Sequence, residues 1–267
     1  MLHQLFLLGA FFLAHLSLVH SFSFTMTWAQ TWNNILEGGP KRWKVDNLAF
    51  KQRALQRILE QHFGTLSTAA STAADNNKSP QLSILCPLAG DDPFVQYAWS
   101  QGHNVTAIDL VPAAVDVMRQ QFGGLDADWT KQEEDGQSSS SNTIIWKHSS
   151  GRATLYAGDM MQKRPELNAK FDAVYDKDAF GALPLELRQP YCQRLADYCK
   201  PEATVYSEVK LKAGGKEAGG PPFHVEKEDL METTSFGANF HHVEALGEVY
   251  DVEIPGASQT AHIMKRK

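Results

Sequence analysis

The sequence predicts an α/β protein built on a doubly wound, mostly parallel β-sheet. Two observations lead to this prediction. The 267 residues are 43% hydrophobic and 21% charged, a composition that fits one globular domain with a full-sized core. Short apolar or β-branched runs also alternate along the chain with segments of helical period. Such alternation is typical of parallel strands joined by helices that cover both faces of a sheet.

The first half of the domain follows the order helix, strand, turn, helix, strand. Apolar residues recur every three or four positions over Leu48–Phe63 and predict the first helix. The apolar run 82–88 predicts a buried strand, after which Gly90 breaks the chain. A short helix over 94–99 and a β-branched strand over 104–110 complete one βαβ unit.

The middle of the chain interrupts this regular order. Pro112 is expected at the start of the next helix. Residues 124–142 are acidic and then serine-rich, so we interpret them as an inserted loop that cannot bury enough apolar surface to order itself. The β-rich runs 143–147 and 153–157 predict a hairpin-like pair, and the run 171–175 predicts the next strand.

The last third supplies the remaining elements. After Pro184, apolar side chains share one helical face, and the run 203–209 predicts another strand. A helix is expected over 227–233, and two final strands over 240–254 and 262–265, antiparallel by analogy with such sheets.

The N-terminus differs from the rest of the domain, which we place at residues 27–267. The apolar run 5–19 is shorter than the roughly 20 residues of a membrane span. Residues 1–21 are therefore predicted to be a signal peptide, and once it is cleaved we expect no stable membrane span in the mature protein. A signal peptide predicts that the protein enters the secretory pathway. Because Phe22 follows the candidate cleavage site, the alternative destination is a plastid. The alternative is translation from Met26, which predicts a cytoplasmic protein.

Composition and missing motifs exclude several classes of function. A net charge of −6 provides no basic field for nucleic acid. The three cysteines are too few for a disulfide framework, and neither they nor the histidines have metal-site spacing, so we predict no metal. The GxSxG and Walker A sequences are also missing, which argues against a hydrolase or a kinase. We expect a monomer that acts on a small molecule.

The first candidate binding residues follow the first two strands. Leu88 and Gly90 lie in a turn after one strand, and Asp109 ends the next about 20 residues later, the spacing at which an acid reaches ribose hydroxyls. Because the turn lacks GxGxxG, a nucleoside without a diphosphate, such as S-adenosylmethionine, fits better than NAD. The alternative is that Asp109 caps a helix or is a solvated strand end.

Three tryptophans form a second candidate group. Trp28 and Trp32 are four residues apart on one possible helical face, and Trp43 follows. Indole rings attract cations, which suits a sulfonium methyl donor. The alternative is that the three rings pack into the core or into a lid over the sheet.

The third group lies at the ends of later strands. Asp159 is placed to accept a bond from an adenine amino group, and Asp176 or Lys177 to face the transferred methyl group or its acceptor. These two are therefore our candidate catalytic residues. Alternatively, each is a solvated loop charge.

With these residues identified, five ordered pieces of the sequence resemble the thiopurine S-methyltransferase family. The resemblance extends from Trp28 to about Lys265. The pieces are W-x3-W at Trp28 and Trp32, CPLAG followed by QGHNVTAIDL, HSSGRATLYAGD, KFDAVYDKDAFGALPLELRQPY, and GGPPF.

The resemblance implies a Rossmann-like, seven-stranded methyltransferase fold, S-adenosylmethionine as methyl donor and a small-molecule thiol as typical acceptor. Carried over by position, the implied donor contacts are Trp28, Trp32, Trp43, Leu88, Asp109, Asp159, Met160 and Lys177.

Three departures from the family pattern concern the acceptor more than the donor. The family usually has PLCGK where this chain has PLAGD ending at Asp91, glutamate in place of Asp109, and arginine in place of Lys177. Lysine keeps the charge and loses the bidentate fork. Alternative acceptors are therefore a halide, thiocyanate or a selenium species, and a further alternative is a donor-binding protein without catalysis.

Overall fold

The computed structural model describes residues 30, 33–39, 47–64, 81–134 and 143–267. The chain divides after Val45 into two units, and residues 33–36 of the first are helical. The predicted signal peptide, residues 1–21, lies outside the described residues, as do the tryptophans at 28, 32 and 43. Those predictions stay predictions. In the described ranges, no helix is long and apolar enough to cross a membrane.

The second unit is built on one twisted β-sheet. Its described strands are β1 Ser83–Pro87, β2 Asn104–Asp109, β3 Trp129–Glu134, β4 Thr143–His148, β5 Ala153–Ala157, β6 Phe171–Lys177, β7 Cys199–Lys212, β8 Phe240–Glu248 and β9 Ala257–Arg266. Their order across the sheet is β3-β4-β5-β2-β1-β6-β7-β9-β8.

The strand directions confirm the predicted fold class. Strands β5, β2, β1, β6 and β7 pair in parallel. Strand β9 is antiparallel to β7, and β8 is antiparallel to β9. These seven strands form the predicted mostly parallel sheet, and β4 and β3 extend it antiparallel at the β5 edge.

The extension corrects the prediction that residues 124–142 are a loop throughout. Residues 129–134 form strand β3, which pairs with β4 from Trp129 opposite His148. The Trp129 ring is buried and packs edge-on against Phe122 and His148. One buried aromatic side chain holds an otherwise polar edge strand in place, and an average over the whole segment hides it. Residues 135–142 lie outside the described part of the chain.

Helices cover both faces of the sheet. They are α1 Leu48–Phe63, α2 Phe94–Ser100, α3 Pro112–Gln120, α4 Ala179–Ala182, α5 Leu185–Tyr198 and α6 Lys227–Met231.

Neighbouring residues of β6 show which helices lie on which face, because successive strand side chains point to opposite faces. Tyr175 stacks on Phe94 of α2 at 3.7 Å between ring centroids and accepts a hydrogen bond from Lys51 of α1. Asp176, the next residue, accepts one from Tyr191 of α5. Helices α1 and α2 therefore cover one face and α5 covers the other, as a doubly wound sheet requires.

Candidate active site

The carboxyl ends of the parallel strands gather the predicted site residues at one edge of the sheet. Strand β1 continues to β2 on one side and neighbours β6 on the other, so the strand order reverses between β1 and β6. Ligands in such sheets bind outside the carboxyl ends at this reversal. Leu88, Asp109, Asp159 and Lys177 end or follow β1, β2, β5 and β6 at this edge.

Asp109 connects the turn after β1 to the start of α3. Its Oδ2 accepts a hydrogen bond from Gly90 N at 2.8 Å, and its Oδ1 accepts one from Val111 N at 2.9 Å. The turn itself needs left-handed backbone, with φ of 46° at Leu88 and 57° at Gly90. Burial raises the pKa of Asp109 to about 6, although the two N–H donors oppose the shift.

These hydrogen bonds give Asp109 a structural role in addition to the predicted contact with ribose. The N-cap of α3 is Val111, and Asp109 binds the N–H of that residue. Asp109 is therefore not the cap of α3, although its side chain holds the residue at which that helix begins. Each carboxylate oxygen has two lone pairs, so Asp109 keeps acceptor capacity for two hydroxyl groups.

A buried arginine supports the loop that carries Asp159 and Met160. Arg164 is 2% exposed and donates from Nη1 to the Asp159 carbonyl at 2.8 Å. Its Nη2 donates to Thr143 Oγ1 at 3.3 Å. Asp159 is half-buried and accepts a bond from Met161 N through Oδ1, whereas the Met160 side chain is buried. The guanidinium group thus joins this loop to β4.

The side chain of Asp176 points into the protein interior, where its partners are structural. It is completely buried, and its oxygens accept bonds from Phe180 N at 3.1 Å and from Tyr191 Oη at 2.9 Å. Burial raises its pKa to about 7 against the effect of these donors. These contacts favour a structural role in the turn between β6 and α4, and its predicted catalytic role stays a prediction that the geometry weakens.

Lys177 belongs to a cluster of charges that sequence reasoning missed. Its Nζ donates to Asp178 Oδ2 at 3.3 Å, and Lys210 Nζ lies 3.9 Å from the same oxygen. The other oxygen of Asp178 accepts from Gln259 Nε2 at 2.9 Å. Burial lowers the pKa of Lys177, but the carboxylates of Asp178, Asp92 and Glu208 outweigh burial, so the pKa is raised. Lys177 is therefore a permanent cation at neutral pH.

Glu208 lies on β7 directly beside Lys177 in the parallel register. Glu208 is 1% exposed, and its carboxyl group accepts hydrogen bonds from the hydroxyls of Tyr206 and Tyr250. Burial raises the pKa of Glu208. Its carbonyl oxygen accepts from Asp178 N at 2.9 Å, which helps to hold Asp178 in a left-handed conformation with φ of 58°.

A second buried ion pair connects α1 to the turn after β1. Lys51 is 1% exposed and donates from Nζ to Asp92 Oδ2 at 2.7 Å and to Tyr175 Oη at 3.0 Å. The other oxygen of Asp92 accepts from Phe94 N at 2.8 Å. A usable signal was present in the sequence, because Lys51 lies four residues before Leu55 on the apolar face of the first helix.

The sequence signal was weaker for Asp178, Glu208 and Lys210, which are charged residues inside or directly after predicted strands.

Among the residues described, no group of three or more His, Cys, Asp and Glu side chains is placed to hold a metal ion. The prediction of no metal stays a prediction.

Comparison with known sequences identifies relatives over most of the chain. The profile of the family described as thiopurine S-methyltransferase matches residues 36–265. The thiopurine S-methyltransferase of Acinetobacter baylyi is 28% identical over 192 residues, which make up 72% of this chain and 80% of that protein. One from Pseudomonas putida is 27% identical over 211 residues, or 79% of this chain and 87% of that protein.

Comparison with solved structures concerns the fold alone, because the identities are low. The N-methyltransferase NodS of Bradyrhizobium japonicum in complex with S-adenosyl-L-homocysteine has a TM-score of 0.57 at 12% identity, covering 89% of this chain and 97% of its own. The 1,6-didemethyltoxoflavin-N1-methyltransferase of Burkholderia thailandensis, with bound S-adenosylhomocysteine, has a TM-score of 0.56 at 15% identity, covering 93% and 90%. The family profile spans most of the chain and the fold agrees with it, so this protein belongs to the thiopurine S-methyltransferase family and takes S-adenosylmethionine as its methyl donor.

Proposed function

We propose that this protein transfers the methyl group of S-adenosylmethionine to the sulfur of a small-molecule thiol. The observation that carries the proposal is the arrangement around the strand reversal. Asp109 ends β2 and Asp159 follows β5 on one side, and Lys177 ends β6 on the other. The names of the relatives support S-methylation as the reaction.

The residues on the β2 and β5 side fit the donor. Asp109 has acceptor capacity left for the ribose hydroxyls, and the turn after β1 lacks the glycine fingerprint that a pyrophosphate requires. We assign Leu88, Asp159 and Met160 to the nucleoside because they lie on the loops beside Asp109. The donor supplies a methyl group that is already activated as part of a sulfonium ion.

The residues on the β6 side act on the acceptor. Lys177 is a cation with N–H donors to offer, so it favours the thiolate form of a nearby thiol and orients it toward the methyl group. A raised pKa prevents Lys177 from acting as a base at neutral pH. In-line displacement then depends on alignment, which is worth up to about 7–11 kcal/mol when reacting atoms are held close together.

Calorimetric titration with S-adenosylhomocysteine, followed by a thiol panel with radiolabelled donor, tests the proposal. We expect Asp109→Ala to lose donor affinity, because it removes the ribose acceptor and releases Gly90 and Val111. Asp116→Ala, whose side chain is half exposed on α3, is the matched control and keeps wild-type affinity.

Lys177→Met is expected to keep donor affinity and lose turnover, most strongly with thiols of high pKa. A folded protein that binds the donor and methylates no thiol refutes the proposal. Methylation of halide or thiocyanate in the same panel identifies the alternative acceptors instead.

A further inference from the structure

Two lysines at the acceptor side share a single carboxylate. The side chains of Lys177 and Lys210 are 10% and 11% exposed, and both ammonium groups approach Oδ2 of Asp178. Lys177 donates to that oxygen at 3.3 Å, but Lys210 Nζ is 3.9 Å away, beyond hydrogen-bond distance. Within the described ranges no protein group accepts a hydrogen bond from Lys210 Nζ, so its three N–H donors are left to solvent or to a ligand.

Among the described residues, no oxygen of the neighbouring carboxylates lies within hydrogen-bond distance of Lys210 Nζ, although each of these oxygens has lone pairs left. Oδ1 of Asp178 is bound by Gln259, and both oxygens of Glu208 are bound by tyrosine hydroxyls. A buried charged group without hydrogen bonds is unfavourable. The arrangement is therefore complete only when a further acceptor group, from solvent or from a ligand, binds Lys210.

The surroundings of Lys210 place this unused donor beside the reaction centre of the proposed function. Lys210 is on β7, next to the β6 strand that ends with Lys177. Its carbonyl oxygen accepts from Val225 N at 3.0 Å, which brings the GGPPF segment alongside. Phe223 of that segment donates its N–H to the Gly181 carbonyl of α4 at 2.7 Å. The backbone of Lys210 thus lies beside this segment, and its ammonium group lies near Asp178.

We propose that Lys210, together with Lys177, binds a carboxylate on the methyl acceptor, so that the preferred acceptors are thiols that carry an acidic group. This inference rests on the proposed function. An ammonium pair that shares one aspartate keeps donors for a second carboxylate, and the charge-assisted bonds formed with it are stronger than neutral ones.

The experiment compares 4-mercaptobenzoate with 4-mercaptobenzamide, which differ in charge and little in shape. For the full-length protein we expect a higher kcat/KM for the acid. Lys210→Met should reduce kcat/KM for the acid about 10- to 100-fold, the range for loss of a hydrogen bond to a charged group, and leave the value for the amide within about twofold. Lys210→Arg keeps the charge and should retain most of the preference.

Two further measurements separate the alternatives. Lys147→Met, on the exposed part of β4, removes a distant positive charge and should change neither rate. The affinity for S-adenosylhomocysteine should be the same in Lys210→Met and wild type.

A loss of that affinity would assign Lys210 to the donor's own carboxylate and overturn the inference. Equal kcat/KM for acid and amide in the wild type, or an equal fall for both in Lys210→Met, would also overturn it while leaving the methyltransferase proposal intact. If neither compound is methylated but another thiol of the panel is, the inference fails and the proposed function stands; if no thiol of the panel is methylated, both fail.

Discussion

Replacing Lys51 with methionine tests whether the buried ion pair between α1 and the turn after β1 stabilises the fold and the donor site. The substitution keeps most of the side-chain volume and removes the charge. It leaves Asp92 without its 2.7 Å partner and Tyr175 Oη without its 3.0 Å donor. Removing one partner of a buried pair costs about 3–5 kcal/mol. Since the Asp92 side chain is 13% exposed and water solvates it in part, we expect a loss of about 2–4 kcal/mol in the free energy of unfolding.

Urea unfolding monitored by circular dichroism measures this loss, and calorimetry measures S-adenosylhomocysteine affinity. The affinity should fall as well, because Asp92 lies in the turn that contains Leu88 and Gly90. The matched control is Lys131→Met, which breaks the pair of Lys131 with Glu133, where the side chains are 44% and 55% exposed. Such exposed pairs contribute little to stability, because water and salt screen them. If Lys51→Met is no less stable than this control, the pair does not stabilise the fold and the reasoning is wrong.

Three other substitutions probe the same edge of the sheet. Gly158→Ala puts a Cβ 2.8 Å from Thr143 Oγ1 and 3.0 Å from Arg164 Nη2, so the Asp159 loop must shift. We expect titration to show weaker S-adenosylhomocysteine binding, and we expect the free energy of unfolding to fall by about 1–3 kcal/mol. The pKa of Asp176 is about 7 in the folded protein against a reference value of 3.8, so its contribution to stability is complete below pH 4 and is lost as pH rises to 7. In denaturant melts, Asp176→Asn should therefore show a smaller fall in stability over that interval than wild type. Tyr250→Phe removes one of the two hydroxyl donors to buried Glu208 and should cost about 1.5–3 kcal/mol in urea unfolding.

The outcomes that contradict these three predictions are specific. If Gly158→Ala binds the donor as tightly as wild type, the side chains of Arg164 and Thr143 move to accommodate the new Cβ and the Asp159 loop keeps its position. An unchanged pH dependence in Asp176→Asn, with half-exposed Asp116→Asn as the control, would show that Asp176 is ionised in the fold. Tyr250→Phe must be more destabilising than Tyr97→Phe, a change at a partly exposed tyrosine on α2.

Strands β1, β2, β5 and β6 were predictable because they are largely buried and therefore appear as short runs that are mostly apolar or β-branched. Strands β1, β2 and β6 lie within two residues of their predicted bounds. Asp109 was predictable for the same reason, since the end of a buried strand places a polar side chain at the ligand-binding edge. Strand β3 was missed because a single buried Trp129 holds it, and composition averages across neighbours conceal one residue.

The sequence by itself determined the fold class, the family and the placement of Leu88, Asp109, Asp159 and Lys177 at one edge, because those features depend on local patterns and motif order. Three predictions concern residues outside the described ranges and stay predictions. They are the signal peptide, the loop at residues 135–142, and the binding role of the tryptophans at 28, 32 and 43.

Only the tertiary structure decided which charges are buried and with what partners. Lys51 meets Asp92 across 41 positions and Gln259 meets Asp178 across 81. The same structure turned Asp176 toward Tyr191 and left Lys210 with unused donors. The energy of a buried charge depends on the few atoms around it, and in this fold those atoms come from distant parts of the chain.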